Sequence, residues 1–309
     1  MSNLTERLIW FNGEIIPYEN AKINIMDATA QYGINVFEGI RCYYNKEYDQ
    51  LYAFRLDDHL NRLFQSAKLL KFILNEGMTK EFLINNLINV IKANDYNEDL
   101  YIKICMFLDA EGSWSSLSPI GMVIYPYPKG RVYSDKIGIN CCISSWGRIS
   151  EFDIPPRIKA GANYINSRYA LLEATMNGYD SSIFLNKDGK VAEGPGACIF
   201  CLRNNKLITP PITASILESI TRDTIINLAK NELGLIVEER EIDRTELYIS
   251  DEVFFAGTSI EILPILSVDH YIINNSEVGY LTKALSELYF DIVIGKKHKY
   301  NNWLTKLER

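Results

Sequence analysis

Tight-turn signals set between short β-forming runs are the feature that most restricts how this chain can fold. Leu8-Ile9-Trp10-Phe11 and Glu14-Ile15-Ile16 flank Asn12-Gly13, a pair suited to the type I′ turn of a two-residue hairpin. The arrangement recurs where Ser182–Leu185 and Val191–Glu193 flank Lys187-Asp188-Gly189-Lys190, and Asn204-Asn205 suits another tight turn. Two helical stretches lie between these hairpins. One runs from Asp57 or Asp58 as cap to about Phe72, with Leu60, Leu63, Phe64, Ala67, Leu70 and Ile73 at helical spacing. The other runs from Thr79 as cap to about Ala93. Leu100–Leu108 then alternates as a strand, with Tyr101 and Lys103 on one face and Ile102 and Ile104 on the other. Hairpins and helices mixed in this way predict an α+β chain.

Further on, Met122–Tyr125 reads as a short strand, and Pro126-Tyr-Pro-Lys-Gly130 breaks regular structure. That break divides the 309 residues into a small N-terminal domain (1–125), an interdomain loop (126–137) and a larger domain (138–309). In the larger part, Ile137–Ser144 reads as a buried strand. Asn166 to about Asn177 reads as a helix closed by Gly178, and another helix ends near Gly234. The net charge of −7 argues against a nucleic-acid binder, and no apolar run has the length of a membrane span. Met1–Arg7 lacks the basic-then-apolar layout of a signal peptide, so the expected compartment is the cytoplasm. The six cysteines are scattered, Cys198-Ile-Phe-Cys201 looks like strand, and the three histidines are isolated. Reduced thiols and no metal site are expected.

The chemistry gathers around Ile158-Lys159-Ala160-Gly161-Ala162-Asn163-Tyr164, with no acidic residue from Ile154 to Tyr169. A lysine beside small residues, kept from full hydration, suits Schiff-base formation with an aldehyde. In a straight strand Tyr164 would point away from Lys159, so a bend near Gly161 is required for both to face one ligand. Glycines 33 and 39 around Tyr32 and Phe37 suggest a turn feeding the strand Ile40–Tyr44, with Phe37 facing either the core or a ligand. Arg62 lies beside the first helix's apolar stripe, where an arginine ordinarily keeps its head in water. Glu193, ahead of Gly194-Pro195-Gly196, is either a solvated acid or a carboxylate that could hold a pyridine nitrogen protonated. The Ile220, Thr221 and Arg222 amides begin a helix that Ser219 or Thr221 could cap, and such a start suits an anion. Gly257-Thr258-Ser259 offers a second run of backbone donors.

Together these stretches resemble the branched-chain amino acid aminotransferases, pyridoxal 5′-phosphate enzymes of fold type IV (class IV aminotransferases). The likeness runs from Ile9-Trp-Phe-Asn-Gly-Glu14 to Ser267-Val-Asp269. Its most specific parts are Tyr32-Gly33…Val36-Phe-Glu-Gly-Ile-Arg41, Lys159-Ala-Gly-Ala-Asn-Tyr164, Glu193-Gly-Pro-Gly196, Ile220-Thr-Arg-Asp223 and Gly257-Thr258. The resemblance implies a two-domain α+β fold whose larger domain is β-barrel-like. It implies transfer of an amino group between Leu, Ile or Val and 2-oxoglutarate by a ping-pong mechanism. Lys159 would be the catalytic Schiff-base lysine. Tyr164 would meet the ring O3′, Glu193 the pyridine nitrogen and Leu217 the ring face. Arg62, the Ile220 and Thr221 backbone and the Thr258 hydroxyl would hold the phosphate. Tyr101 and the Thr258–Ser259 backbone would receive the α-carboxylate. Phe37 and Tyr32 would line the side-chain pocket, with help from a loop of the second subunit of a homodimer or larger homo-oligomer.

Three positions depart from the family's pattern. Lys103 stands where the family usually has an arginine associated with the glutamate side chain. Ala197-Cys198 replaces a usual Glu-Asn, and Ser219 a usual glycine. The alternatives are another fold type IV enzyme (a D-amino acid aminotransferase or an aminodeoxychorismate lyase) and a non-catalytic binding protein. The Tyr32–Arg41 motif favours the branched-chain group.

Overall fold

A computed structural model describes residues 7–131 and 138–308, so the expected loop at 132–137 and the start of the strand at Ile137 lie outside the described residues. No helix among the described residues is long and apolar enough to cross a membrane. The Asn12-Gly13 turn forms as expected. Both residues take positive φ (47° and 109°), and Leu8–Phe11 pairs antiparallel with Glu14–Pro17.

The chain forms two compact units nearly equal in length. One holds the described residues up to Gly130, then Ile158–Ala162 and the residues from Ile292 onward; the other holds Arg131–Arg157 and Asn163–Asp291. This partition differs from the expected 1–125 and 138–309, and Pro126 shows why. The strand runs Ile120–Pro128 straight through the expected break, pairing Pro126 with Ile102 and Pro128 with Leu100. On its other side this strand meets Leu8–Phe11 only at Val123 and Ile124. Among the described residues no strand pairs with it on that side beyond Ile124, so a missing N–H there costs no ladder bond.

The first unit is built on a seven-stranded antiparallel sheet. Its order is Leu304–Leu307, Gln50–Phe54, Asn35–Asn45, Leu100–Leu108, Ile120–Pro128, Leu8–Phe11 and Glu14–Pro17. The helices Leu56–Leu69 and Lys80–Asn94 contribute Leu60, Leu63, Ala67, Leu83, Leu87 and Val90 to one core with Val36, Ile40, Ile102 and Ile104. Strand alternation leaves Phe37, Tyr101, Lys103 and Tyr125 half-buried on the opposite face. Thr79 caps the second helix as expected, its hydroxyl accepting the Phe82 N–H at 3.1 Å. The first helix starts earlier than expected, with Arg55 as a left-handed cap residue. Asp57 and Asp58 fall instead in its first turn, where carboxylates oppose the helix dipole.

Gly39 is not in a turn; the strand begins at Asn35, not Ile40. A Cβ at Gly39 would overlap the Tyr101 hydroxyl, so the glycine makes room for that ring on the neighbouring strand. Gly33, by contrast, takes φ 68° and ends the short helix Ala28–Tyr32.

The second unit carries an eight-stranded mixed sheet. Its main path is Ile236–Glu239, Lys206–Thr209, Cys198–Arg203, Glu252–Gly257, Glu261–Val268, Ile139–Ile143 and Ser181–Ile183, and Tyr271–Ile272 joins Glu261–Val268. With its helices, this mixed sheet makes the unit α+β, as expected. The sheet's end strands are only four and three residues long, and no ladder joins them among the described residues. The helix Tyr164–Met176 starts two residues earlier than expected, and Gly178 follows its end at φ 81°. The Asn204-Asn205 turn also forms, with both residues at positive φ. Cys198 and Cys201 lie within one strand, all six cysteines are free, and no metal-binding cluster occurs among the described residues.

Candidate active site

In the first unit, Lys159 is strapped to the end of the sheet by its backbone. Its N–H donates to the Ser66 hydroxyl at 3.1 Å, and its carbonyl accepts the Phe37 N–H at 3.0 Å. Val36 and Ala160 form a β-bridge, and the Gly161 N–H reaches the Asn35 carbonyl at 3.2 Å. Ile158 and Ala160 enter the core, so alternation turns the Lys159 side chain the other way. Its Nζ lies 4.9 Å from the centre of the Phe37 ring, and the Lys103 Nζ lies 4.7 Å from the same ring. Lys159, Phe37, Tyr101 and Lys103 thus share one face. The chain turns over 161–163 and enters the helix at Tyr164, which supplies the bend expected near Gly161. Tyr164, in the second unit, is half-buried. Tyr32 is exposed and packs edge-on to Trp114, ring centres 5.8 Å apart.

On the helix side of the same strand, Glu38 is fully buried. Its carboxylate accepts from Arg62 Nε at 2.6 Å and Nη2 at 2.9 Å, and from His59 Nδ1 at 2.7 Å. His59, Arg62 and Ser66 stand at i, i+3 and i+7 of one helix and therefore share a stripe. Arg62 is accordingly a buried, ion-paired side chain and not a surface arginine with its head in water. Burial by itself would raise the Glu38 carboxyl, but the Arg62 and His59 charges and hydrogen bonds outweigh it and hold it well below the usual range. Burial pushes His59 down; Glu38 draws it partly back, and Arg62 and Lys159 push it further down. The neutral imidazole then donates its Nδ1–H to Glu38.

In the second unit, Glu193 is also buried rather than solvated. Arg148 donates to its Oε1 from Nε at 2.9 Å and Nη2 at 2.8 Å, and the Leu217 N–H lies 3.3 Å from each oxygen. Arg148 is held in turn by Asn166 Oδ1 at 3.1 Å. Phe184 holds the hairpin at this point, its N–H donating to the Glu193 carbonyl and its carbonyl accepting the Ala192 N–H, both at 2.9 Å. The following Gly194 must be small because a Cβ would meet the Phe255 ring at 2.7 Å. Gly257 is similarly close to the first turn, its Cβ position lying 3.3 Å from the Gly196 carbonyl. Thr258 and Ser259 follow directly as half-buried turn residues.

Ser219 is the N-cap of Ile220–Asn231, its hydroxyl accepting the Arg222 N–H at 3.1 Å. Of the three amides expected to be open, that of Arg222 is therefore taken; Ile220 and Thr221 remain first-turn donors without intrahelical acceptors. The Cys198 thiol donates to the Ala256 carbonyl at 2.9 Å and is pushed up to about 12, chiefly by burial. Glu38, His59 and Arg148 do not stand out in the sequence as site residues. Their signal is the motif around Phe37, the i, i+3 spacing of His59 and Arg62, and the position of Arg148 in the loop before Lys159.

Glu38 and His59 give the first unit a defined acid response. The fold favours neutral His59 and ionised Glu38, so their contribution is complete above the unfolded values of 6.5 and 4.5. Stability should fall as pH drops below 6.5, where unfolded His59 takes up a proton that the fold resists. It should fall again below 4.5, as pH approaches the depressed value of Glu38. Denaturant midpoints measured from about pH 7.5 to about pH 4 test this: His59→Gln should flatten the upper part of the curve and leave the lower part.

Comparison with known proteins places this geometry in a family. The family described as Amino-transferase class IV matches residues 35–268. A probable branched-chain-amino-acid aminotransferase of Aquifex aeolicus (strain VF5) is 42% identical, covering 96% of this chain and 95% of its own. The crystal structure of branched-chain amino acid aminotransferase from Thermobaculum terrenum in PLP-form superposes with a TM-score of 0.93 at 43% identity, covering 99% of this chain and 100% of that one. A T.th. branched-chain amino acid aminotransferase complexed with N-(5'-phosphopyridoxyl)-L-glutamate gives 0.91 at 32% identity, covering 98% and 99%. The chain therefore belongs to the class IV amino-transferases, within their branched-chain-amino-acid aminotransferase group.

Proposed function

We propose that this chain transfers the amino group between L-leucine, L-isoleucine or L-valine and 2-oxoglutarate, with pyridoxal 5′-phosphate as cofactor and Lys159 as the catalytic lysine. The observation that carries this reading is the strapped lysine itself. Its peptide is fixed on both sides, and its ammonium lies against Phe37 on the face that bears Tyr101 and Lys103. The chain carries the chemistry for the cofactor's three polar parts. Lys159 would answer an aldehyde, Arg62, the Ile220 and Thr221 amides and the Thr258 hydroxyl a phosphate, and Glu193 a ring N–H. Glu193 is ion-paired with Arg148, and a carboxylate would accept the hydrogen bond of such a ring N–H.

When bound, pyridoxal phosphate supplies an aldehyde that joins amines and a ring that withdraws electrons from the substrate Cα. Lys159 Nζ, freed when a substrate amine takes its place, would carry the proton lost from the substrate Cα to the cofactor's former aldehyde carbon, C4′. Glu193 would hold the proton on the ring nitrogen, Tyr164 would donate to the ring hydroxyl oxygen, and Leu217 would cover one ring face. Tyr101 and the Thr258–Ser259 backbone receive the α-carboxylate, and Phe37 and Tyr32 line an apolar side-chain pocket. Such a pocket separates substrates differing by one methylene by only about 1–3 kcal/mol, so leucine, isoleucine and valine overlap as donors. The two half-reactions alternate in a ping-pong cycle. Lys103 meets the side-chain carboxylate of 2-oxoglutarate through a single ammonium where a planar fork would give two bonds. The glutamate adduct of the cofactor bound to the T.th. relative supports this acceptor.

A homodimer and a cytoplasmic location belong to the same proposal. Ile165, Tyr169, Leu172 and Met176 form an outward apolar stripe on the helix Tyr164–Met176, with Met176 86% exposed and Trp146 stacked on Tyr169. A second copy of the chain covers such a stripe, and sedimentation equilibrium at twice the chain mass is the expected result.

Spectra, products and kinetics test the chemistry. The purified protein should show a visible cofactor band that each single branched-chain L-amino acid bleaches, and Lys159→Ala should reduce multiple-turnover transamination to background. Release of pyruvate from aminodeoxychorismate, or consumption of D-leucine instead of L-leucine, would assign the chain to a neighbouring activity. Lys103→Arg should lower the KM for 2-oxoglutarate by about tenfold, equivalent to about 1.4 kcal/mol. The KM for leucine should stay unchanged; an equal shift in both would show that Lys103 does not read the acceptor's second carboxylate.

A further inference from the structure

We propose that Glu38 is a positioning residue that fixes the span between Lys159 and Arg62, keeping the amine and the phosphate-binding guanidinium in register on one strand. The inference rests on the reading above, in which Lys159 meets the cofactor aldehyde and Arg62 its phosphate. Adjacent residues of the strand Asn35–Asn45 hold the two groups. Phe37 donates its N–H to the Lys159 carbonyl, and Glu38 grips Arg62 through Nε and Nη2. The helix Leu56–Leu69 closes the frame from its own side, with Ser66 accepting the Lys159 N–H and His59 bracing the same carboxylate. Each group is therefore located twice, once from the strand and once from the helix.

The charge balance fits a geometric role for the carboxylate. Glu38 matches the Arg62 charge, and with His59 neutral the cluster carries no net charge. A buried acid beside an anion site weakens attraction at a distance. It also stops a long, flexible side chain from swinging, so the remaining N–H directions of the guanidinium are preset. The arrangement exchanges electrostatic pull for direction. It predicts that Glu38 acts on recognition of the phosphate and not on the cofactor ring.

Binding of pyridoxal 5′-phosphate and of pyridoxal, which lacks the phosphate, to the cofactor-stripped full chain separates these roles. Wild type should prefer the phosphorylated ligand strongly. Glu38→Gln should lower that preference by about tenfold or more by weakening the phosphorylated ligand alone, and should shift or broaden the phosphorus resonance of the bound phosphate. His59→Gln, which keeps the Glu38–Arg62 pair, should show a smaller loss in the same direction. If Glu38→Gln does not fold, Glu38→Asp, which keeps the charge but withdraws it by one methylene, reads the same ratio. Equal weakening of both ligands, or an unchanged preference, overturns the role of Glu38. A wild-type chain that binds neither ligand overturns the proposed function instead.

Discussion

Two backbone hydrogen bonds fix the candidate lysine in the first unit: Phe37 N–H to the Lys159 carbonyl, and Gly161 N–H to the Asn35 carbonyl. They turn the segment Ile158–Ala162, distant in sequence from the rest of the unit, into an extension of its sheet. Ile158 and Ala160 add their side chains to the core on either side of the lysine. A lysine in an unpaired loop would lose this orientation, because its long side chain has many rotamers to occupy and a mobile backbone multiplies them. Fixing the peptide first leaves only the side chain to be placed, and the Phe37 ring limits that placement.

Buried charge is handled in the same way in both units. Glu38 has Arg62 and His59, and Glu193 has Arg148 and the Leu217 amide. Taking a carboxylate out of water costs several kcal/mol, so each acid is tolerated only because its lone pairs are met by charged or oriented donors. Removing one partner from such a pair commonly costs about 3–5 kcal/mol, more than deleting both would. The glycine that follows each acid makes room for an aromatic ring. Gly39 yields its space to Tyr101, and Gly194 yields its space to Phe255.

Much of the local structure was legible in the sequence because its causes are local. Asn12-Gly13, the Thr79 cap, the Leu100–Leu108 alternation and the Gly178 helix end each depend on residues within a few positions of one another. The misreadings share the opposite property. Pro126 looks like a break until its pairing with Ile102 inside a continuous strand is known. Gly39 looks like a turn until Tyr101 is seen occupying its side-chain space. Arg62 and Glu193 look solvated because their partners lie 24 and 45 residues away, and no periodicity links the members of either pair. The candidate lysine could be read from its small neighbours, whereas its attachment to the first sheet could not.

The first sheet has an edge strand, Leu304–Leu307, that pairs with Gln50–Phe54 from far earlier in the sequence. Early and late parts of the polypeptide are thereby joined in one structural unit. A protein cut in the middle would not fall into two modules: the leading piece would lack its outer strand and its lysine, and would present an unpaired, aggregation-prone edge. The lysine therefore travels with neither half as an exchangeable cassette. During synthesis the first sheet stays unfinished until Leu304–Leu307 emerges, so its completion waits on a second unit that has already been made.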